Sequence, residues 1–272
     1  MSAAAAGGWD CHVHVFDAAA PALPGHYLPP TRTLAMLAAA AVGLADRFVL
    51  VQPSVYGSDN TVLLQALRGS GGRHRGVAVV DPAIGAGELD ALHEAGVRGL
   101  RFNLVSPVGN SDADGLDRLA PLLRERGWHV QWYARPQQLA QIALLQERHG
   151  FTPVLDHLGG LTPALLADGP HWEALQRLAA AGGWIKLSGW YRLQSAAPYR
   201  DIEAVLRKAA ALFPGRSVWG SDWPHTAFLG PDAKEAPPAY AATWRPVPAA
   251  LGEAQAGEIL QANPARLYAA ND

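Results

Sequence analysis

Short apolar runs alternate with stretches of helical periodicity along almost the whole chain. Runs with strand character lie at 9–16, 47–52, 76–80, 97–102, 129–133, 153–156, 184–188 and 217–220. Between them, apolar residues recur every three or four positions, the spacing of one helix face. Examples are Leu34, Leu37 and Ala41; Leu63, Leu64 and Leu67; and Leu116, Leu119 and Leu123. Glu88 to Ala95, Gln138 to His149 and a segment around Trp172, Leu175 and Leu178 read the same way. The clearest amphipathic stretch is Ile202, Val205, Leu206, Ala209 and Leu212. Thr31 or Thr33, Ser58 or Asp59, and Ser111 or Asp112 stand where N-caps are needed. A proline-rich loop is expected from Gly230 to Pro248, before a last helix and Asn263-Pro264. Eight strands alternating with helices, with no linker-like break, predict an α/β chain folded as a single (β/α)8 TIM barrel. Residues 1–8 read as a flexible tail and 9–272 as the barrel domain.

Composition narrows the partners. At 272 residues and 49% hydrophobic content, the chain can bury a large core. A net charge of −2 offers no footprint for nucleic acid and no polybasic membrane patch. No segment is long and apolar enough to span a bilayer, and the N-terminus lacks a basic region followed by an apolar core. With Cys11 as the sole cysteine, no intrachain disulfide can form. A soluble cytoplasmic protein acting on a small molecule is the expectation.

The candidate chemistry falls at strand ends. In Asp10-Cys11-His12-Val13-His14, strand alternation would send His12 and His14 to one face and Cys11, Val13 and Val15 to the other. Active sites of such barrels lie at the C-terminal ends of the strands. Those ends carry His12, His14, Ser54, Arg101, Asn103, Tyr133, His157, Ser188 and Asp222. Taken singly, each has a structural explanation: Asp222 could cap a helix, and His157 could be a core histidine. Gathered at one rim, they point to an enzyme.

The motifs Asp10-Cys11-His12-Val13-His14, Asp156-His157 and Gly220-Ser221-Asp222-Trp223-Pro224-His225 resemble the amidohydrolase superfamily. The similarity is closest to its branch of pyrone-dicarboxylate and sugar-acid lactonases. It extends over Arg98-Gly99-Leu100-Arg101-Phe102-Asn103, Gly127-Trp128-His129-Val130 and Asn263-Pro264-Ala265-Arg266-Leu267-Tyr268. The resemblance implies hydrolysis of a small anionic lactone. It implies Asp222 as the base that activates water, and His12, His14 and His157 as groups that polarise the carbonyl, directly or through a metal. It further implies Arg101, Tyr133 and Arg192 as anion contacts, with Tyr27 and Ser54 as weaker matches. These roles agree with the chemistry, since water needs a base and a developing oxyanion needs donors.

Two departures bear on the substrate. Pro107 stands where the pyrone lactonase pattern has a further arginine, and Arg135 stands where that pattern is acidic, so Arg135 is a candidate replacement contact. None of the three lysines, Lys186, Lys208 and Lys234, lies on strand four, where binuclear relatives carry a carboxylated lysine. A two-metal site is therefore not expected, and the resemblance to enzymes that work without metal implies metal-independent catalysis. The alternative is a single Zn²⁺ on some of His12, His14, His157 and Asp222. A zinc-dependent decarboxylase of the same superfamily and a non-catalytic small-acid-binding barrel are the competing functions.

Overall fold

The structure, a computed structural model, describes residues 7–24, 27, 30–109, 113, 115–229 and 235–268. Eight parallel strands follow one another in chain order around a barrel: β1 (Gly8–Val13), β2 (Ala45–Val51), β3 (Arg75–Ala78), β4 (Val97–Asn103), β5 (His129–Tyr133), β6 (Thr152–Leu155), β7 (Trp184–Ser188) and β8 (Ser217–Gly220). The seam between the first and last strands is closed just above β8. Val13 bridges Trp223 in parallel, the Asp222 N–H donates to the His12 carbonyl at 2.9 Å, and the His14 N–H donates to the Trp223 carbonyl at 2.8 Å. A Cβ at Gly220 would fall 2.5 Å from the His12 Cβ, so glycine is what lets the two strands approach here. The fold is the TIM barrel that the alternating pattern predicts.

Helices α1 (Leu34–Ala40), α2 (Thr61–Gly69), α3 (Ala86–Glu94), α4 (Leu116–Glu125), α5 (Leu139–His149), α6 (Pro170–Ala180) and α7 (Glu203–Leu212) cover the outside. Thr33 caps α1 by accepting from the Met36 N–H at 3.3 Å, and the Asp59 carboxylate accepts from the Thr61 N–H at 3.0 Å where α2 begins. The caps expected from Ser111 and Asp112, and the tail residues 1–6, lie outside the described residues. Outward-facing strand residues such as Phe48, Leu50, Leu100, Phe102 and Trp132 pack with Leu63, Leu119, Leu139 and Ile142 of the helices. Among the described residues, no helix is long and apolar enough to cross a membrane.

The end of the chain differs from the expected loop and single helix. Four short helices occupy it: α8 (Tyr240–Trp244), α9 (Pro246–Leu251), α10 (Glu253–Leu260) and α11 (Ala262–Tyr268). Proline content suggested a loop, but Pro246 sits in the first turn of α9, where a missing N–H costs nothing. Asn263 lies in α11 and ties it to the barrel by donating from Nδ2 to the Ser217 carbonyl at 2.9 Å.

Candidate active site

The first strand departs from simple alternation, and the departure aims the site. Asp10 pairs with Phe48 and Val13 with Leu50, so three steps on β1 match two on β2. The extra residue is a β-bulge, a device that re-aims side chains. Cys11 therefore faces inward with Trp9, Val49, Val51 and Val77, while Val13 and Val15 pack outward. The expectation that Cys11 shares a face with Val13 fails because alternation does not survive a bulge. His12 and His14 do face the same interior, with ring centroids 5.1 Å apart. Asp10 stabilises the irregular backbone. One oxygen accepts from the N–H groups of His12 (3.2 Å) and Ser221 (2.9 Å), and the other accepts from the Tyr240 hydroxyl at 2.7 Å. Burial pushes its pKa up to about 6.

Two hydrogen bonds set which nitrogens of these histidines are free. His14 Nδ1 lies 2.8 Å from the Val51 carbonyl, and His12 Nδ1 lies 3.1 Å from Asp156 Oδ1. Both partners only accept, so each Nδ1 carries a proton, and in the neutral ring each Nε2 then presents a lone pair. The two lone pairs converge on Asp222 Oδ1, at 3.7 Å from His12 and 3.5 Å from His14. Neither His12 Nε2 nor Asp222 Oδ1 has a hydrogen-bond partner among the described residues. Burial holds the His12 imidazolium well below its ordinary pKa, so the ring is neutral at pH 7.

The two buried carboxylates are held differently. Asp156, just past β6, accepts from His12, from Arg101 Nε at 3.1 Å and from Gln131 Nε2 at 3.1 Å. Burial alone would raise its pKa, but His12, Lys186 and Arg101 outweigh burial and hold it well below the carboxylate range. Asp222 has one oxygen saturated: Oδ2 accepts from Arg192 Nε at 2.5 Å and from the Tyr191 hydroxyl. Burial again opposes ionisation, and Arg192, His157, His14 and His12 outweigh it. Its other oxygen stays bare toward the histidines.

His157 completes the group. Its Nδ1 lies 2.8 Å from the Ser188 hydroxyl, and its ring stands 4.8 Å from that of His12. Burial lowers its pKa to about 4. Gly189, at φ +65°, is needed beside it, because a Cβ there would meet His157 Nδ1 at 2.5 Å.

These groups open onto a cavity of about 140 Å³ at the C-terminal rim. Its walls include His14, His157, Asp222, Arg101, Tyr133, Arg192, Tyr27 and Ser54, so the structure brings these sequence candidates together. His12 lies immediately beneath. Arg101 and Arg192 approach the Tyr133 ring at 5.3 and 6.0 Å. Asn103, Ser106, Pro107 and Thr226 also line the space, and the Ser106 hydroxyl donates to Ser54 Oγ at 3.2 Å. Arg135 is not brought in. It is exposed, just outside a turn in which its own N–H donates to Gln138 Oε1 at 2.8 Å.

Sequence reasoning gave no role to Asp10, Gln131, Tyr191 or Thr226. Tyr191 adjoins Arg192 and could have been weighed with it. Asp10 opens the first motif, whereas Gln131 and Thr226 left no local signal.

The donor set fits a divalent cation. His12, His14 and Asp222 offer ligand atoms within 4.8 Å of one another, as do His12, Asp156 and His157. The first set is the better fit, because its three facing atoms are lone pairs with no donor between them. Histidine ligands oriented through Nδ1 by a carboxylate or a carbonyl are the usual support of such a site.

Comparison with known proteins agrees over nearly the whole chain. The sequence model of the family described as Amidohydrolase matches residues 9–270. The 2-pyrone-4,6-dicarboxylate hydrolase of Comamonas testosteroni is 33% identical over 97% of this chain and 90% of its own length. The 4-sulfomuconolactone hydrolase of Hydrogenophaga intermedia is 28% identical over 96% and 88%. Among solved structures, a probable 2-pyrone-4,6-dicarboxylic acid hydrolase from Acinetobacter baumannii, with citric acid bound, superposes with a TM-score of 0.81. It shares 27% identity over 96% of this chain and 99% of that one.

Proposed function

The chain belongs to the amidohydrolase family, and we propose that it hydrolyses a small lactone carrying a carboxylate or sulfonate, with Asp222 as the base that activates water. The observation that carries this reading is one cavity in which a half-free carboxylate faces three histidines, with two guanidiniums in the wall. The substrates for which the relatives are named, a pyrone dicarboxylate and a sulfomuconolactone, are both anionic lactones. The citric acid held by the Acinetobacter protein is likewise a polycarboxylic acid.

In this reading, the substrate anion lies against Arg101, Tyr133 and Arg192, where a guanidinium can hold an oxyacid in one orientation. Tyr27 and Ser54 bound the same space. Water approaches Asp222 Oδ1, which has no donor committed to it, and gives up a proton as its oxygen attacks the lactone carbonyl. With the Ser188 hydroxyl, 2.8 Å away, donating to His157 Nδ1, the Nε2–H is left to donate to the developing oxyanion. The ring C–O bond then breaks, and the leaving oxygen takes up a proton. A divalent cation, when bound by His12, His14 and Asp222, would supply Lewis-acid polarisation and a more acidic water. The donors just described are protein groups, so this reading stands without the ion.

The test is proton release from a panel of lactones that bear a carboxylate, a sulfonate or no charge. Turnover of the charged members, with the neutral ones far slower, is expected. Carbon dioxide release in place of ring opening would make the protein a decarboxylase, and no turnover of any member would sink the reading.

A further inference from the structure

Beneath the reaction centre lies a charged group that none of these steps uses. Lys186, on β7, is wholly buried inside the barrel. Its Nζ donates to the Cys11 carbonyl at 2.9 Å and to Gln131 Oε1 at 2.6 Å, and lies 3.6 Å from Asp156 Oδ1. A buried ammonium is costly to desolvate, and an apolar residue would fill the barrel more cheaply. Its contacts show what it does instead. An amide side chain can present either end to a neighbour. By taking Gln131 Oε1, Lys186 turns the NH2 toward Asp156 Oδ2, 3.1 Å away. The other oxygen of Asp156 is thereby left to His12 Nδ1. Lys186 Nζ also lies 3.5 Å from that nitrogen, so the charge sits directly under the imidazole.

We infer that Lys186 is a positioning residue: through Gln131 and Asp156 it fixes the tautomer and tilt of His12, and so keeps the His12 Nε2 lone pair aimed at Asp222. The chain of contacts runs from Lys186 on β7 through Gln131 on β5 and Asp156 just past β6 to the bulge of β1. That this orientation serves catalysis rests on the lactone-hydrolase reading. The orientation itself does not.

The experiment therefore reads the imidazole first and turnover second. Nitrogen NMR of histidine-labelled protein should show His12 protonated at Nδ1 and bare at Nε2 in the wild type, and a mixture of tautomers in Lys186→Met. With an anionic lactone, kcat should fall about 10- to 100-fold, the usual effect of losing a partner behind a histidine of a metal-type site, while KM changes little. If Lys186→Met does not fold, Gln131→Met breaks the same chain with the lysine kept, and it should give the same spectrum and the same loss. A folded variant with wild-type His12 nitrogen shifts would overturn the inference, as would a loss confined to Tm with kcat unchanged. A wild-type protein that opens no lactone would remove the functional reading and still leave the nitrogen spectra to decide this one.

Discussion

The two ends of the barrel treat buried polar atoms in opposite ways. At the floor, Trp9, Tyr268, Trp184 and His129 close the interior with rings, Trp9 stacking on Tyr268 at 6.1 Å and His129 meeting it edge-on at 5.4 Å. The Trp9 Nε1, His129 Nε2 and Tyr268 hydroxyl have no hydrogen-bond partner among the described residues. At the rim, His12 Nε2 and Asp222 Oδ1 lack partners among the described residues and converge with His14 Nε2, while Gln52 Oε1 and both ring nitrogens of His225 lack partners without joining them. The floor is an apolar plug that tolerates stray polar atoms because its rings bury so much area. The rim is a set of lone pairs, each turned by a bond behind it. Substitutions at the floor should therefore cost stability, and those at the rim should cost chemistry.

The sharpest test is Asp222→Asn. An amide cannot take the proton, so turnover of an anionic lactone should fall about 10²–10⁴-fold, the range for loss of a general base, with substrate binding largely kept. Steady-state kinetics beside calorimetric binding would show this. Near-full activity would mean that Asp222 only braces the seam beside Arg192 and Tyr191.

Trp9→Ala is the counterpart at the floor. Truncating a buried tryptophan costs about 3–5 kcal/mol, which for a chain of this size lowers Tm on the order of 10 °C. Below the new Tm, kcat/KM should match the wild type. A folded variant with unchanged Tm but lost activity would erase the division between the two ends.

Arg101→Met probes the boundary between them. Hydrogen bonds to charged groups contribute roughly 1.5–3 kcal/mol, so kcat/KM for an anionic lactone should fall about 10- to 150-fold. A neutral lactone should lose less, though not nothing, because Arg101 Nε also holds Asp156. The gap between the two losses measures the anion contact alone. Equal losses would assign Arg101 entirely to Asp156, and with it the anionic-substrate reading would go.

Much of the barrel was legible beforehand because its signals are local. A strand reports itself by a short apolar run, a helix by its repeat, and Thr33 by its place one residue before the first helical turn. The position of His157, Tyr133 and Asp222 at strand ends followed from those boundaries and the rule that such ends carry the chemistry. The proline-rich end was misread for the same local reason: proline counts against a helix interior but not against a first turn.

What the sequence determined by itself was thus the order of elements, the rim that holds the polar residues and the family to which the motifs belong. Each depends on neighbours a few positions apart. Only the tertiary structure decided how the site is wired. The bulge that turns both Cys11 and His12 inward exists because β1 must register with β2. Arg192 and Tyr191 hold Asp222 from 30 and 31 positions away, Lys186 stands behind His12 from 174 positions away, and Arg135, two residues from Tyr133, is left outside. Such contacts are set by the closure of eight strands around one interior. A side chain's partner there depends on register and depth in the barrel, and neither is written in any short stretch of the chain.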